Sequence, residues 1–336
     1  MPNKRVSVVI PVYNEAELLP ELTRRIKSVL AENPNYDWEV IYVNDGSSDG
    51  SAPVLSECVT GNPWLSVLHL SRNFGHQTAI SAGTDYASGE AVVVMDGDLQ
   101  DPPELLSQML ALWEEGYEVV YATRKHRQGE TPFKLLTAKL FYRLLQRFSD
   151  VPIPLDTGDF RLMDRKVVNA LSQMREKNRF IRGMVSWVGF KQTPLYYERD
   201  ERKTGKTKYT LSKMIRFAVD GMLSFSTVPL QLITTLGFII SAISFILVVV
   251  VVYMKLFTNI HVETGWPTIM IGILMLGGIQ LVCLGFIGEY VGRIFDEVRQ
   301  RPLYLVRQIE TQRHQGLEYL THPLPRELEI FEYSPQ

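Results

Sequence analysis

The sequence predicts an α/β domain with a mostly parallel, helix-wound sheet, followed by two membrane-spanning helices. Three observations carry that expectation. Short apolar runs recur with room for a helix between them, each run ends in a polar turn, and two long stretches in the last third of the chain hold no charged residue. A chain of 336 residues has ample apolar material for a core and exceeds one typical domain. Its net charge of -2 argues against a nucleic-acid binder on bulk electrostatics. The two cysteines, Cys58 and Cys283, lie in segments of different character, so neither a disulfide framework nor a cysteine-based zinc site is expected. Met1 to Arg5 leads straight into a strand-like run, and no signal peptide is expected.

The elements follow in order. Arg5 to Ile10 reads as a strand closed by Pro11-Val12-Tyr13-Asn14-Glu15, with a helical pattern from Ala16 to Leu30. Trp38 to Val43 is the second strand and ends in Asn44-Asp45-Gly46-Ser47-Ser48-Asp49-Gly50. Leu65 to Leu70 is the third; Ser71-Arg72-Asn73-Phe74-Gly75-His76-Gln77 follows, opening a helix through Tyr86. Val92 to Met95 is the fourth, running into Asp96-Gly97-Asp98-Leu99-Gln100-Asp101. Pro102 and Pro103 then start a helix, and Glu118 to Ala122 is the fifth strand. Asp156-Thr157-Gly158-Asp159-Phe160-Arg161-Leu162 is a turn entering a strand, and Asp164 to Met174 a helix.

The polar turns all follow strands, so they gather on the sheet edge where open α/β sheets bind ligands. Asp96 and Asp98, one residue apart after a buried strand, suit a hard divalent cation that also holds a substrate diphosphate. Taken alone, the same residues are ordinary turn formers; Asp45 at the same edge favours the metal-site reading. A dinucleotide fold is excluded at the first strand, where Pro11 to Glu15 stands in place of a G-x-G-x-x-G loop. Asp156 and Asp159 are open to two readings, turn formers paired with Arg161 or chemistry.

No charge occurs from Gly221 to Met254 or from Thr264 to Gly288, and each stretch exceeds the roughly 20 apolar residues that cross a bilayer. The expected division is a cytoplasmic catalytic domain at 1–208, a juxtamembrane helix at 209–228, spans at 229–254 and 267–290, an outer loop at 255–266 and a cytoplasmic tail at 291–336. Basic residues flank the spans: Arg202, Lys203, Lys206, Lys208, Lys213 and Arg216 before them, Arg293, Arg299, Arg301 and Arg307 after. By the positive-inside rule both termini are cytoplasmic. Residues 131–148 form a basic amphipathic pattern that fits an interfacial helix or one packed on the domain's own core. Small residues in the second span, including Gly288 and Gly292, favour homo-oligomerisation through close helix packing.

In this order, Pro11 to Glu15, Asn44 to Gly50, Asn73 to Gln77, Asp96 to Gln100 and Asp159 to Leu162 resemble the motif series of family 2 glycosyltransferases of the GT-A fold. The two spans and Arg202-x-x-Gly205-x-x-Lys208-Tyr209 resemble its polyisoprenyl-phosphate glycosyltransferases. The resemblance implies inverting, metal-dependent transfer of one sugar from a nucleotide sugar to a polyprenyl phosphate such as undecaprenyl phosphate, at the cytoplasmic face of a bacterial inner membrane. UDP-glucose is the first-choice donor; UDP-aminoarabinose, UDP-N-acetylhexosamine and GDP-mannose stay open. Carried over, it implies Pro11, Tyr13, Glu15, Asp45, Ser47, Gln77, Asp96 and Gly97 for the nucleotide sugar, and Asp96 and Asp98 for Mg²⁺ or Mn²⁺. A catalytic role falls to Asp98 and to Asp159 or Asp156, with Asp159 preferred, as a base or as a positioning carboxylate. A phosphate monoester is largely dianionic near neutral pH, so a strong base is less needed than for a sugar hydroxyl. Gln100, Arg124, Arg127, Arg202 and Lys208 are expected to hold the acceptor phosphate. A processive polysaccharide synthase is disfavoured because no Trp follows an Arg in this chain. A lipid or sugar translocator, or a scaffold with a degenerate transferase domain, is disfavoured by the intact Asp96, Asp98 and Asp159.

Overall fold

The computed structural model describes residues 3–124, 157–197, 228–257 and 265–312. They fall into two units: one holds the described residues up to Tyr197 together with those from Arg301 onward, the other those from Val228 to Gln300. The expected amphipathic helix at 131–148, the segment 209–227, most of the loop between the spans and the last 24 residues lie outside the described residues.

The first unit is one sheet of eight strands: β1 (Lys4–Val12), β2 (Tyr36–Asn44), β3 (Leu65–Leu70), β4 (Ala91–Val94), β5 (Val119–Arg124), β6 (Thr157–Asp164), β7 (Gln192–Tyr197) and β8 (Val306–Thr311). Their order is β7-β5-β6-β4-β1-β2-β3-β8. β1 to β4 run parallel, β6 runs against β4 and β5, and β8 runs against β3. The sheet is therefore mostly parallel, as expected. β1 is buried along nearly its whole length, which is why it reads as a continuous apolar run and not as an alternation.

Helices α1 (Leu19–Glu32), α2 (Ser51–Val59), α3 (His76–Tyr86) and α4 (Leu106–Glu114) connect these strands. α1 starts three residues later than its pattern suggests, because Pro20 suits the first turn and Glu15 to Leu18 close a turn of their own, Leu18 N–H donating to Glu15 O at 3.0 Å. α3 lies so close to β1 that a Cβ on Gly83 would sit 2.3 Å from Val9 Cγ1. After β6, Asp164 caps α5 (Arg165–Gln173) by accepting the Lys166 N–H at 3.0 Å. A short helix, α6 (Ile181–Trp187), precedes β7.

The strand order puts the ends of β1, β2, β3 and β4 and the start of β6 on one edge. The opposite edge is closed by a polar network in which Ser7 donates to Glu39 at 2.5 Å, Ser88 Oγ donates to Glu39 at 3.0 Å, and Arg165 Nε donates to Gly89 O at 2.8 Å. It satisfies groups that burial would otherwise leave unpaired.

The second unit contains α7 (Val228–Phe257, 30 residues) and α8 (Trp266–Val298, 33 residues). Within α8, Met275–Val298 is long and apolar enough to cross a membrane, and α7 carries a shorter apolar stretch, Ile233–Leu247. The expected spans fall inside these two helices. β8 is a difference from expectation: the sequence reads everything after the second span as tail, yet residues 306–311 pair with β3 at the edge of the sheet.

Candidate active site

Three loops meet at the edge where the parallel strands end. Asn14, at φ +56°, donates its N–H to Ser47 Oγ (3.1 Å) and accepts the Ser48 N–H on its own Oδ1 (2.8 Å). Glu15 N–H donates to Ser51 Oγ at 3.1 Å. The loop after β1 is thereby stitched to the loop after β2, and Tyr13 stands 44 % exposed above them. Asp45 is buried, and its two oxygens accept the N–H groups of Phe74 and Gly75 at 2.7 and 3.0 Å. Burial raises its pKa and the two N–H groups offset this only in part. Gly46 is required here, since its φ is +64° and a Cβ would lie 2.5 Å from the carbonyl carbon of Arg72. Both Asp45 oxygens thus tie the loop after β2 to the loop after β3.

The strongest electrostatic feature surrounds Asp159, at the start of β6. Arg182, from α6, binds it in bidentate fashion, Nε to Oδ1 at 2.8 Å and Nη2 to Oδ2 at 3.2 Å. His76 Nε2 is 3.1 Å from Oδ2, and Gln77 Nε2 donates to the same oxygen at 3.1 Å. The buried Arg161 guanidinium approaches Oδ1 to 4.0 Å and donates to Gly158 O at 3.0 Å. Burial alone would raise the Asp159 pKa, but the Arg182 charge, followed by the His76 and Arg182 hydrogen bonds, holds it well below the usual carboxylate range. For His76 the order is the reverse: burial lowers its pKa, and the bond to Asp159 with the charges of Asp96 and Asp159 more than restores it.

His76 also faces the second carboxylate centre, with Nε2 3.4 Å from Asp96 Oδ1. That oxygen is enclosed and accepts no hydrogen bond from the described residues, although 28 % of the Asp96 side chain is exposed. Its burial, then the charge of Asp101, push the Asp96 pKa up to about 7; the His76 charge opposes them, and Asp159 and Asp98 add to them. A carboxylate oxygen enclosed among other carboxylates, with only the His76 ring 3.4 Å away and no hydrogen bond within the described residues, suits a cation. Asp98 follows on a turn forced by Leu99 at φ +61°, and its Oδ1 accepts the Gln100 N–H at 3.1 Å. Among the described residues no group of three or more metal-binding side chains occurs. Two carboxylates fit a Mg²⁺-like ion that takes its other ligands from water and substrate phosphate.

The structure therefore brings Asp96, Asp98, Asp159, Gln77 and Gln100 to one edge with Pro11, Tyr13, Glu15, Asp45, Ser47 and Gly97. Asp159 is buried, and Arg182, His76 and Gln77 between them engage both of its oxygens. Gln77 is likewise occupied at both ends, because its Oε1 accepts the Ile181 N–H at 3.0 Å and so ties α6 to α3. Asp156, Arg127, Arg202 and Lys208 lie outside the described residues, and Arg124 ends β5 with no description of its side chain. Sequence reasoning missed Arg182 and His76. An arginine on a seven-residue helix has no periodicity to mark it, whereas His76 stood inside a quoted motif and adjoins Gln77.

A family profile described as glycosyl transferase family 2 matches residues 7–172. The chain is 51 % identical over 302 residues to the uncharacterized glycosyltransferase YkcC of Bacillus subtilis (strain 168), covering 90 % of this chain and 93 % of that one. It is 36 % identical to the prophage bactoprenol glucosyl transferase homolog of Escherichia coli (strain K12), covering 91 % of this chain and 99 % of that one. To the SfII prophage-derived bactoprenol glucosyl transferase of Shigella flexneri it is 37 % identical, covering 90 % and 98 % respectively.

Proposed function

This chain belongs to glycosyl transferase family 2 and is a glycosyltransferase of the GT-A α/β fold, and from that premise we propose that it moves one sugar, glucose from UDP-glucose, onto a polyprenyl phosphate at a membrane surface. The observation that carries the proposal is the enclosed oxygen of Asp96, which accepts no hydrogen bond within the described residues, beside Asp98 and at the same sheet edge as the Asp45 loops. Relatives named for bactoprenol glucosyl transfer, matched along almost their whole length, support the acceptor and the sugar.

Asp96 and Asp98 would hold Mg²⁺ or Mn²⁺, which supplies charge neutralisation at a diphosphate leaving group. The loops after β1 and β2, with Tyr13, Glu15 and Ser47, are assigned to the nucleoside. Arg182 and His76 give the carboxylate cluster a positive side that would favour an incoming anion. The acceptor needs little help in losing a proton, since a phosphate monoester with a second pKa near 6 is largely dianionic at neutral pH. What Asp159 contributes on this reading is orientation: it fixes the guanidinium of Arg182 and the ring of His76. The two long helices are assigned to the bilayer, with both termini and the catalytic unit on the cytoplasmic side by the charge pattern of their flanks.

The test is direct. Full-length protein in detergent, given labelled UDP-glucose, Mg²⁺ and undecaprenyl phosphate, is expected to yield a labelled glycolipid, and a panel of other nucleotide sugars ranks the donor. Full activity in EDTA would remove the metal, and a product only with another donor would replace glucose while leaving the transfer intact.

A further inference from the structure

β8 reaches the loop after β2 through three side chains. Glu310 Oε1 lies 3.3 Å from His69 Nε2, close but off the line of a straight hydrogen bond. Across the ring, His69 Nδ1 is 3.0 Å from Asn44 Nδ2. Asn44 Oδ1 in turn accepts the Ser47 N–H at 3.0 Å, and Ser47 Oγ accepts the Asn14 N–H at 3.1 Å.

The chemistry of the chain is one-directional. Because Asn44 Oδ1 is taken by an N–H, its NH₂ faces the imidazole, so Nδ1 is the acceptor and the proton sits on Nε2, facing Glu310. The other tautomer would set an N–H against the Asn44 NH₂, donor against donor. Burial lowers the His69 pKa, in keeping with a neutral ring. Gln308 Nε2 donates to the same Glu310 oxygen at 3.2 Å and steadies it from the same strand. Asn44 is buried and the His69 side chain is 12 % exposed, so water is poorly placed to substitute for a missing partner.

We propose that Glu310 is a positioning residue for the donor loop: acting through His69 and Asn44, it sets the turn at Ser47 and with it the loop after β1. This rests on the reading of those loops as the nucleotide site. The strand that follows the long helices then belongs to the donor site's support and not merely to the edge of the sheet.

Two readouts on full-length protein in detergent decide it, with Glu310→Ala and Glu310→Gln. Hydrogen exchange of peptides covering 44–48 is expected to quicken about ten-fold in Glu310→Ala, with peptides of β1 and α1 unchanged, and to return toward wild type in Glu310→Gln, whose amide oxygen still faces Nε2. The KM for UDP-glucose is expected to rise about five-fold in the alanine variant with kcat within two-fold, and to be rescued by glutamine. Unchanged exchange at 44–48, an equal increase across the whole sheet, or identical behaviour of the two variants would overturn the proposal. If exchange quickens locally but the KM of an active wild type does not move, Glu310 does not act on donor binding and the proposal falls. If the wild type turns over no nucleotide sugar, the functional reading fails, and the exchange experiment still decides the relay.

Discussion

At Asp96 a carboxylate oxygen is enclosed without a hydrogen bond among the described residues, and the charges of Asp101, Asp159 and Asp98 outweigh that of His76 3.4 Å away. A group held that way without its cation costs stability, so removing its charge is expected to leave the metal-free fold unharmed while ending turnover. Asp96→Asn should lose at least about a hundred-fold in kcat yet melt in EDTA no lower than wild type; a fall of many degrees would mark Asp96 as a structural residue. Asp159 is the opposite case. Its folded pKa is depressed, so its contribution is complete above the unfolded value of about 3.9 and disappears as pH falls through the folded value. Asp159→Asn, which strands Arg182 and His76, is expected to cost about 3–5 kcal/mol at pH 7. Melting curves of the two proteins should stay apart from pH 7 down to about 4 and converge only below it. The Asp96 and Asp98 pair was legible in the sequence because its spacing and its place after a strand carry chemistry. The partners of Asp159 were not, since Arg182 is 23 residues away and only the packing of α6 on α3 unites them.

At the scale of elements, runs with strong apolar content announced themselves. β1 to β5 fall within two residues of their expected ends, since each centres on an apolar run, and β1, β2 and β4 run into Asn or Asp within two residues. Weak signals went unread. β7 (QTPLYY) contains Pro194 and lies at the sheet's edge, where proline is tolerated. β8 (VRQIET) alternates charge with apolar residues behind a long helix and resembles a tail. Yet β8 is well anchored: Ser71 N–H donates to Leu305 O at 2.9 Å, Tyr304 OH donates to Asp85 at 2.9 Å, and Thr311 meets Ser66 at 3.1 Å. A chain ending at Gln300 would expose the full β3 edge, a template for aberrant pairing. Such a chain is expected to run in the void volume on size exclusion in detergent, and a monodisperse, active product would show β8 to be dispensable.

For the whole molecule, the charge-free stretches of the two long helices and their basic flanks set out a topology that can be tested directly. In a variant with Cys58 and Cys283 replaced by serine, Asn259→Cys is expected to react with a membrane-impermeant maleimide in cells whose outer barrier alone is opened; protection until lysis would invert the orientation. The place of β8 in the chain also has a consequence for biogenesis. Chains are made from the N-terminus at about 5–20 residues per second, so β3 waits on the order of ten seconds or more for its neighbour while both long helices are synthesised. During that interval the sheet is unfinished at the strand that carries His69. β8 is made only after the segments assigned to the bilayer, so the order of synthesis itself delays pairing at the β3 edge until those segments have left the ribosome.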